Sequence, residues 1–448
     1  MDGTATALRP GVDVARSIAR ATGEPSWLAE WREHAWAEHE AQPVPSRVAH
    51  LWRYSEPEKF LIDGTSQVMP MVPEPAVTPA DYTTPQPGPD DDRTAGSIRL
   101  RDGRVIELRL SDDARAAGVV LCDLSVAAAQ HAETMQRALG TAVPADSGKL
   151  EALNAALFSG GVFLHIQPNV VLEQPIHILV EGSRDLSALF TRLLLVLDTG
   201  ASATVLAEYA NPVAAAGGPP PRSVANTVVE GLVGQNARLA YFDIQRWGAR
   251  TRSHSKQRLH VDRDGGVMSV NIGLGGQYNK TDLGNVLVGE NAEAEMIGVI
   301  FGSDRQHFDN HTEHLHRVGH SFSDMDFKVV LEDRARSVYT GLIRIDLQAP
   351  NSEAYQENRN LLLDPNCRAE SIPELEILND EVRCTHGATV GPIDEEQVFY
   401  LMTRGLNRQQ AERSIVEGFF GPALARIADE QLRDRLWGYV SRKLSTRR

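Results

Sequence analysis

Between Val162 and about Gly391 the chain repeats one short pattern: an aliphatic strand, a polar turn, then a small residue that opens the next strand. It occurs at Ile166–Val170, Leu197–Ala201, Val233–Ala237, Val261–Gly265, Val288–Ala292, Leu331–Ala335 and Leu363–Cys367. The final residues of these turns are separated by 31, 36, 28, 27, 43 and 32 positions. No helical period longer than a turn or two interrupts the stretch. A coil of this length cannot bury its inward face alone, whereas a stack of coils can, so the pattern predicts a β-solenoid. A large β-sandwich, whose strands also recur every 8–12 residues, is the alternative. The turn recurrence favours the solenoid.

The flanks read differently. Residues 1–63 form an N-terminal helical region, with Trp27, Leu28, Trp31, Ala35 and Trp36 spaced along one helical face. Pro25 suits a first helical turn, and Trp52-Arg53-Tyr54 forms a short segment after Pro43 and Pro45. Residues 64–97, with seven prolines and the run Asp90-Asp91-Asp92, read as an extended linker that lacks the apolar surface to offset its ordering entropy. Residues 98–160 lead into the core. They comprise a hairpin turning at Asp102-Gly103, a strand from Val119 to Leu124, a helix from Ser125 to Leu139 ended by Gly140, and a helix from Lys149 to Phe158 ended by Gly160-Gly161. The solenoid occupies 161–392, and a C-terminal helical region follows over 393–448. There Asp394-Glu395-Glu396 places acid in a first turn, and Val398, Phe399 and Met402 share a face. Gly405 stops that helix. Asn407 caps the next, which carries Ala411, Ile415 and Phe419 inside and ends at Gly421-Pro422. The third carries Leu424, Ile427, Leu432, Leu436, Trp437, Val440 and Leu444.

Composition excludes several functions. Lys plus Arg is 45 against 60 for Asp plus Glu, a net charge of −15, which argues against a chain built to grip nucleic acid or an anionic membrane. The longest aliphatic run, Leu193 to Leu197, is far below the ~20 residues of a membrane helix. The N-terminus carries no basic-then-apolar signal segment, so a cytoplasmic location is expected. Three cysteines without a C-x-x-C pair build neither a disulfide framework nor an all-cysteine metal site. Gly273 to Thr281 resembles a phosphate loop but has Asn279 where Gly must precede the Lys, and no helix follows, so ATP hydrolysis by this chain is not expected.

Two segments carry candidate chemistry. Five of the fourteen histidines, His307, His311, His314, His316 and His320, lie together. On a strand His314, His316 and His320 would share one face and His311 and Glu313 the other, which raises a His-rich metal-binding role. In Cys384-Thr385-His386-Gly387, an extended backbone puts thiol and imidazole on one face. Both are good iron or zinc ligands, but two are too few for a closed site. The competing readings are a buried cysteine beside a strand-ending histidine, or strand histidines bonded to neighbouring coils. A carbohydrate-active β-helix enzyme is a further alternative. It needs converging carboxylates, and Asp262, Asp264, Asp309 and Asp326 are scattered.

Five ordered segments, Tyr339–Ile343, Gln356–Leu363, Pro373–Ile377, Cys384–Gly391 and Asp394–Gly405, resemble the SufB/SufD family of SUF iron–sulfur cluster assembly scaffolds. Glu24–Leu28, Trp52–Tyr54 and Leu153–Phe158 before Gly160-Gly161 extend the likeness. Cys-x-His-Gly at 384–387 is similar to the SufD-type form, and Asn358 stands where SufB-type chains carry a cysteine. The resemblance implies a mainly β fold, a right-handed parallel β-helix flanked by N- and C-terminal helical regions. It implies a non-catalytic scaffold that pairs with a SufB-like paralogue through the β-helix and with a SufC-like ABC ATPase, the ATP-hydrolysing partner, through the C-terminal helices. Asp394, Glu395, Glu396, Gln397, Phe399, Tyr400 and Arg404 are the implied ATPase-contacting residues. His386, with Cys384 as a weaker neighbour, is the implied ligand for transient iron or a nascent cluster at the shared interface. No stably bound cofactor is implied for the isolated chain. A flavin in the full complex and a homodimer of the isolated chain are both left open.

Overall fold

The structure is a computed structural model describing residues 11–62, 67–68, 82–83, 94–214 and 219–445. The expected linker falls mostly outside these residues. Its described pieces are β1 (Gln67–Val68), β2 (Tyr82–Thr83) and residues 94–97, and these last are not linker, since Ala95 is buried in the core and Gly96 opens a strand. Before the solenoid stand α1 (Val12–Thr22), α2 (Ser26–Ala41), β3 (Gly96–Arg101), β4 (Arg104–Leu110), α3 (Asp112–Ala116), β5 (Val120–Asp123), α4 (Leu124–Gln130), α5 (Ala132–Ala138) and α6 (Lys149–Leu157). Two parallel sheets then alternate along the chain. The first holds β6 (Gly160–Ile166), β8 (Ser187–Leu197), β11 (Ser223–Val233), β13 (Thr251–Val261), β15 (Tyr278–Leu287), β17 (His307–His316), β19 (Arg336–Ile345) and β21 (Arg368–Ile377). The second holds β7 (Ile176–Glu181), β9 (Ser202–Ala210), β12 (Arg238–Arg246), β14 (Gly266–Gly273), β16 (Glu293–Gly302), β18 (Phe322–Leu331), β20 (Glu353–Leu362) and β22 (Arg383–Pro392). A two-residue strand, β10 (Val213–Ala214), pairs with β2. The fold is a parallel β-solenoid of about eight coils with helices at both ends of the chain.

The repeated turn is the corner of each coil. At its first five occurrences the corner joins the first sheet to the second, and from Leu331 it joins the second to the first. That change of corner produces the 43-residue interval. Asn169, Gly200, Asn236, Asp264 and Asn291 take positive φ there, a conformation that Gly, Asn and Asp tolerate best. The small residue that follows is buried at the bend in Ala201, Ala237 and Ala292. The first-to-second corners at Ser321 and Ser352 carry no aliphatic–polar–small signature. They are tied by a serine pair, Oγ to Oγ 2.9 Å.

Side chains alternate between the lumen and an outer face. The lumen is lined by Leu193, Leu195, Val205, Val229, Tyr241 and their neighbours. The outer face of the first sheet is covered by the N-terminal helices through Phe163, Phe190, Leu194, Leu28, Trp36 and Leu153. The outer face of the second sheet is covered by α8 (Arg408–Leu424) and α9 (Glu430–Ser445), through Phe242, Ile272, Val299, Phe420, Leu436 and Val440. Polar contacts fix both layers. Under the N-terminal layer, Arg192 and Glu230 are fully buried, with Nε to Oε1 at 2.9 Å. Glu230 also accepts from the backbone N–H groups of Gly140, Ala142 and Val143. On the other face Glu208 accepts from Tyr439 Oη (2.9 Å) and Arg246 (2.7 Å) and meets Arg435.

Several expectations are corrected. The single helix from Ser125 is two, broken at His131, whose φ/ψ of −128°/36° is not helical. Gly160 and Gly161 do not end α6 but open β6. A Cβ on Gly160 would lie 2.7 Å from the Gly103 Cα, so glycine is required by close packing against the hairpin. Gly421-Pro422 does not end α8, which runs on to Leu424 because Ala423 and Leu424 are buried against the second sheet. Within α8 Ala411 is buried as expected, but Val416 and Phe420 are the buried positions in place of Ile415 and Phe419, which are half-buried.

Removing Glu230 leaves Arg192 charged and buried and three N–H groups unbonded. Glu230→Ala is expected to cost about 3–5 kcal/mol, read as a lower denaturant midpoint at unchanged strand content by circular dichroism.

Candidate functional site

The two ends of the solenoid are built differently. At the N-terminal end β5 runs antiparallel on β6, and the β3–β4 hairpin closes the second sheet, with the turn at Asp102 and Gly103 in positive φ. The outermost strand there, β4, carries Arg104, Glu107 and Arg109, charges of the kind that discourage further pairing. At the other end β21 pairs only with β19 and β22 only with β20, so among the described residues both present unpaired backbone groups. From Cys384 to Pro392, β22 has no Asp, Glu, Lys or Arg.

His386 and Cys384 lie on this last strand. Cys384 stands opposite Ala354 and His386 opposite Gln356 of β20. Ala354 and Gln356 face the lumen and are buried. Their partners on β22 face the same way, but no further coil covers them. Cys384, like Ile377 and Val382, is half-buried at the edge of the last lumen cluster, and burial raises its thiol pKa. His386 is exposed. Beneath it Gln356 donates to the Gly341 carbonyl at 3.1 Å, while its Oε1 is buried without a partner. Asn358 is also in the lumen wall, donating to the Phe327 carbonyl and accepting from Asn360. The expected pairing of Cys384 and His386 on one face is therefore what the register gives. Among the described residues no group of three or more His, Cys, Asp or Glu side chains could hold a metal ion. Around His386 the described residues alone do not make a metal site.

Next to β22 lies α7 (Glu395–Thr403), placed by buried Ile393. Asp394 caps it, accepting from the N–H groups of Glu396 (2.9 Å) and Gln397 (3.4 Å). Glu395 pairs with Arg408 at 2.6 Å, and that hydrogen bond lowers its carboxyl pKa. The shared face expected for Val398, Phe399 and Met402 is not formed. Val398 alone is buried, because one helical step of about 100° carries Phe399 round to solvent. Phe399 is 68% exposed, Tyr400 55% and Met402 41%, and Arg404 donates to Tyr400 Oη at 3.1 Å.

The histidine group is taken apart by the fold. The strand ends at His316, and His320 sits exposed in a turn with φ 57°, so it does not join His314 and His316. Those two are buried in the lumen wall, where His314 meets Asn285 at 3.1 Å and His316 bridges Ser321 and Ser323 at 2.7 and 2.8 Å. His311 points outward onto Asp282 at 3.1 Å. These side chains bond to neighbouring coils, and the metal-binding reading gains no support. Nor do the aspartates converge as a glycosidase needs. Asp309 is buried between Ser55 and Lys280, and Asp326 meets Lys328.

Sequence reasoning missed the ion network on the outer face of the first sheet. Asp282 meets Lys256, Arg258 and His311, and Arg258 also meets Glu313. Alternating charge at Lys256 and Arg258, at Lys280 and Asp282, and at Asp309, His311 and Glu313 was the available signal. It also missed a run of arginines at the strand starts of that sheet.

Comparison with known proteins agrees with this architecture. The family model for the SufBD core domain of SUF system FeS cluster assembly matches residues 178–419, and the SufBD protein N-terminal region matches 99–178. The chain belongs to the SufBD family, whose setting is iron–sulfur cluster assembly. It is 28% identical to the iron–sulfur cluster assembly protein SufD of Bacillus subtilis over 96% of this chain and 97% of that one. It is 26% identical to SufBD family proteins of Staphylococcus saprophyticus and Staphylococcus haemolyticus, over 92% of this chain and 88% of each relative. No helix among the described residues is long and apolar enough to cross a membrane.

Burial holds the imidazole of His314 at about 3 and that of His316 at about 4, while the unfolded chain titrates near 6.5. Between pH 6.5 and 4 the unfolded state therefore binds more protons, and stability falls as pH falls, by about 1.4 kcal/mol per unit for each. Asp243, pushed up to about 7 by burial, is protonated in the fold and opposes one of them. The denaturant midpoint should drop between pH 6.5 and 4.5, and His316→Gln should flatten that slope. In alkylation at pH 8 followed by mass spectrometry, Cys384 should react before Cys122 and Cys367, whose thiols burial pushes up to about 11.

Proposed function

We propose that this chain is the SufD-type scaffold subunit of a SUF assembly complex. Its open last coil pairs with a SufB-like paralogue, His386 serves at the joint as a ligand for iron or a nascent cluster, and a SufC-like ABC ATPase docks on α7. The observation that carries the reading is the uncovered end of the solenoid, with His386 exposed on a lumen-facing row that has no coil above it. An edge strand uncharged past its first residue, as β22 is after Arg383, is a template for another strand. A single imidazole binds iron weakly, and thiolate or other ligands supplied from across the joint are needed to complete the set. Cys384, two residues away on the same row, is the nearer and weaker candidate because burial keeps it as a thiol.

The exposed Phe399, Tyr400 and Met402 beside the acidic start of α7 are the chemistry of a partner-binding helix face. Asp394, Glu395, Glu396, Gln397 and Arg404 frame it. Cluster chemistry and ATP hydrolysis fall to the partners, and this chain supplies a ligand and a lever. The likeness to a SufD, the Cys-x-His-Gly form and Asn358 in place of a cysteine support the SufD-type assignment over a SufB-type one.

His386→Ala should leave the thermal transition of the isolated chain within about 0.5 kcal/mol of the parent, as expected for an exposed side chain. Cluster assembly by the co-purified complex should fall at least tenfold; unchanged assembly would remove the ligand role. Phe399→Ser with Tyr400→Ser should abolish co-purification with the ATPase while retaining the SufB-like partner.

A further inference from the structure

In a chain of net charge −15, one groove of about 980 Å³ is strongly basic. It runs across the strand starts of the first sheet, under the N-terminal segment that contributes Arg47, Tyr54 and Lys59. Its long wall is one row of the ladder, in which Arg252, Tyr278, His307 and Arg336 stand in register on four successive coils. At a strand spacing of about 4.8 Å the two arginines are roughly 14 Å apart at the backbone. Between them the Tyr278 and His307 rings stack at 4.4 Å, and the His307 Nε2 has no partner among the described residues. Arg250, Arg305 and Arg334 add to the lining.

The carboxylates nearby are few and mostly committed. Glu56 is paired with Lys59 at 2.9 Å and Asp185 with Arg222 at 2.8 Å. Asp304 and Asp333, in the same turns as Arg305 and Arg334, line the neighbouring groove instead. Among the described residues neither Arg252 nor Arg336 has a carboxylate partner. Unpaired guanidinium groups gathered in one groove repel one another, and a bound anion removes that repulsion.

We propose that this groove binds an elongated ligand carrying two or more phosphate groups, held at its ends by Arg252 and Arg336 over the Tyr278–His307 floor. Arginine forks match phosphate oxygens two at a time. Arg250, Arg252, Arg305, Arg334 and Arg336 crowd one groove, and linked phosphates supply more negative charge per unit length than an extended peptide, which repeats its carboxylates on one side only every ~6.8 Å. The shared chemistry comes from a bare oligophosphate or from the phosphate chain of a nucleotide. The site lies on the outer face of the first sheet, one strand short of its open edge at β21, and does not rest on the assembly reading.

The test is calorimetric titration of the full chain with sodium tripolyphosphate and with ATP, at fixed ionic strength. Saturable binding of either, weakened at least tenfold in Arg252→Gln/Arg336→Gln, supports the site. Preference for ATP assigns a nucleotide, and preference for tripolyphosphate a bare oligophosphate. Circular dichroism melts check that the double variant is folded, and Arg336→Gln alone, at an exposed position, serves if it is not. No saturable binding to the parent, or binding of equal strength in the folded variants, overturns the proposal.

Discussion

Parallel backbone pairing between coils is the interaction on which the rest depends. Along the inner strands of each sheet the N–H and C=O groups bond to the coil before and the coil after, and a buried unpaired backbone group is costly. The stack therefore has no natural stopping point and must be ended by something else. At the start of the chain a hairpin, an antiparallel strand and helices supply that ending. At β21 and β22 nothing in the described chain does. The exposure of His386 and the half-burial of Cys384 both follow from that one asymmetry.

The solenoid was legible because its corners demand unusual backbone. Asn169, Asn236, Asp264 and Asn291 announce positive φ by residue type, and the alanines after them announce a bend too tight for anything larger. The corners at Ser321 and Ser352 were missed because a serine ladder performs the same task without an aliphatic signature. The hairpin at Asp102-Gly103 was readable for the reason the early corners were. The extent of α8 was misread because Gly421-Pro422 is a local stop signal that burial of Ala423 and Leu424 overrides.

The candidate site was legible only as far as local pattern reaches. Alternation placed Cys384 and His386 on one side of a strand, and the structure agrees. Alternation could not say that the strand was the last one, since that depends on which coil lies above. The histidines from 307 to 320 show the same limit. Their crowding in sequence suggested a common ligand, but three of them are distributed among Asp282, Asn285 and a serine corner, each on a neighbouring coil or turn. The exposure of Phe399 was hidden by an assumed face that includes Val398, although adjacent residues on a helix point about 100° apart.

The two helical layers have a geometric effect beyond stability. One lies on each broad side of the stack, fixed by Arg192–Glu230 beneath the first and by Glu208 with Tyr439 beneath the second. With its flanks occupied, the body has little bare sheet left to offer sideways. Among the described residues the unpaired edges of coil strands left to another polypeptide are at the tip, where an added strand would lengthen the stack along its axis, as a rod is spliced.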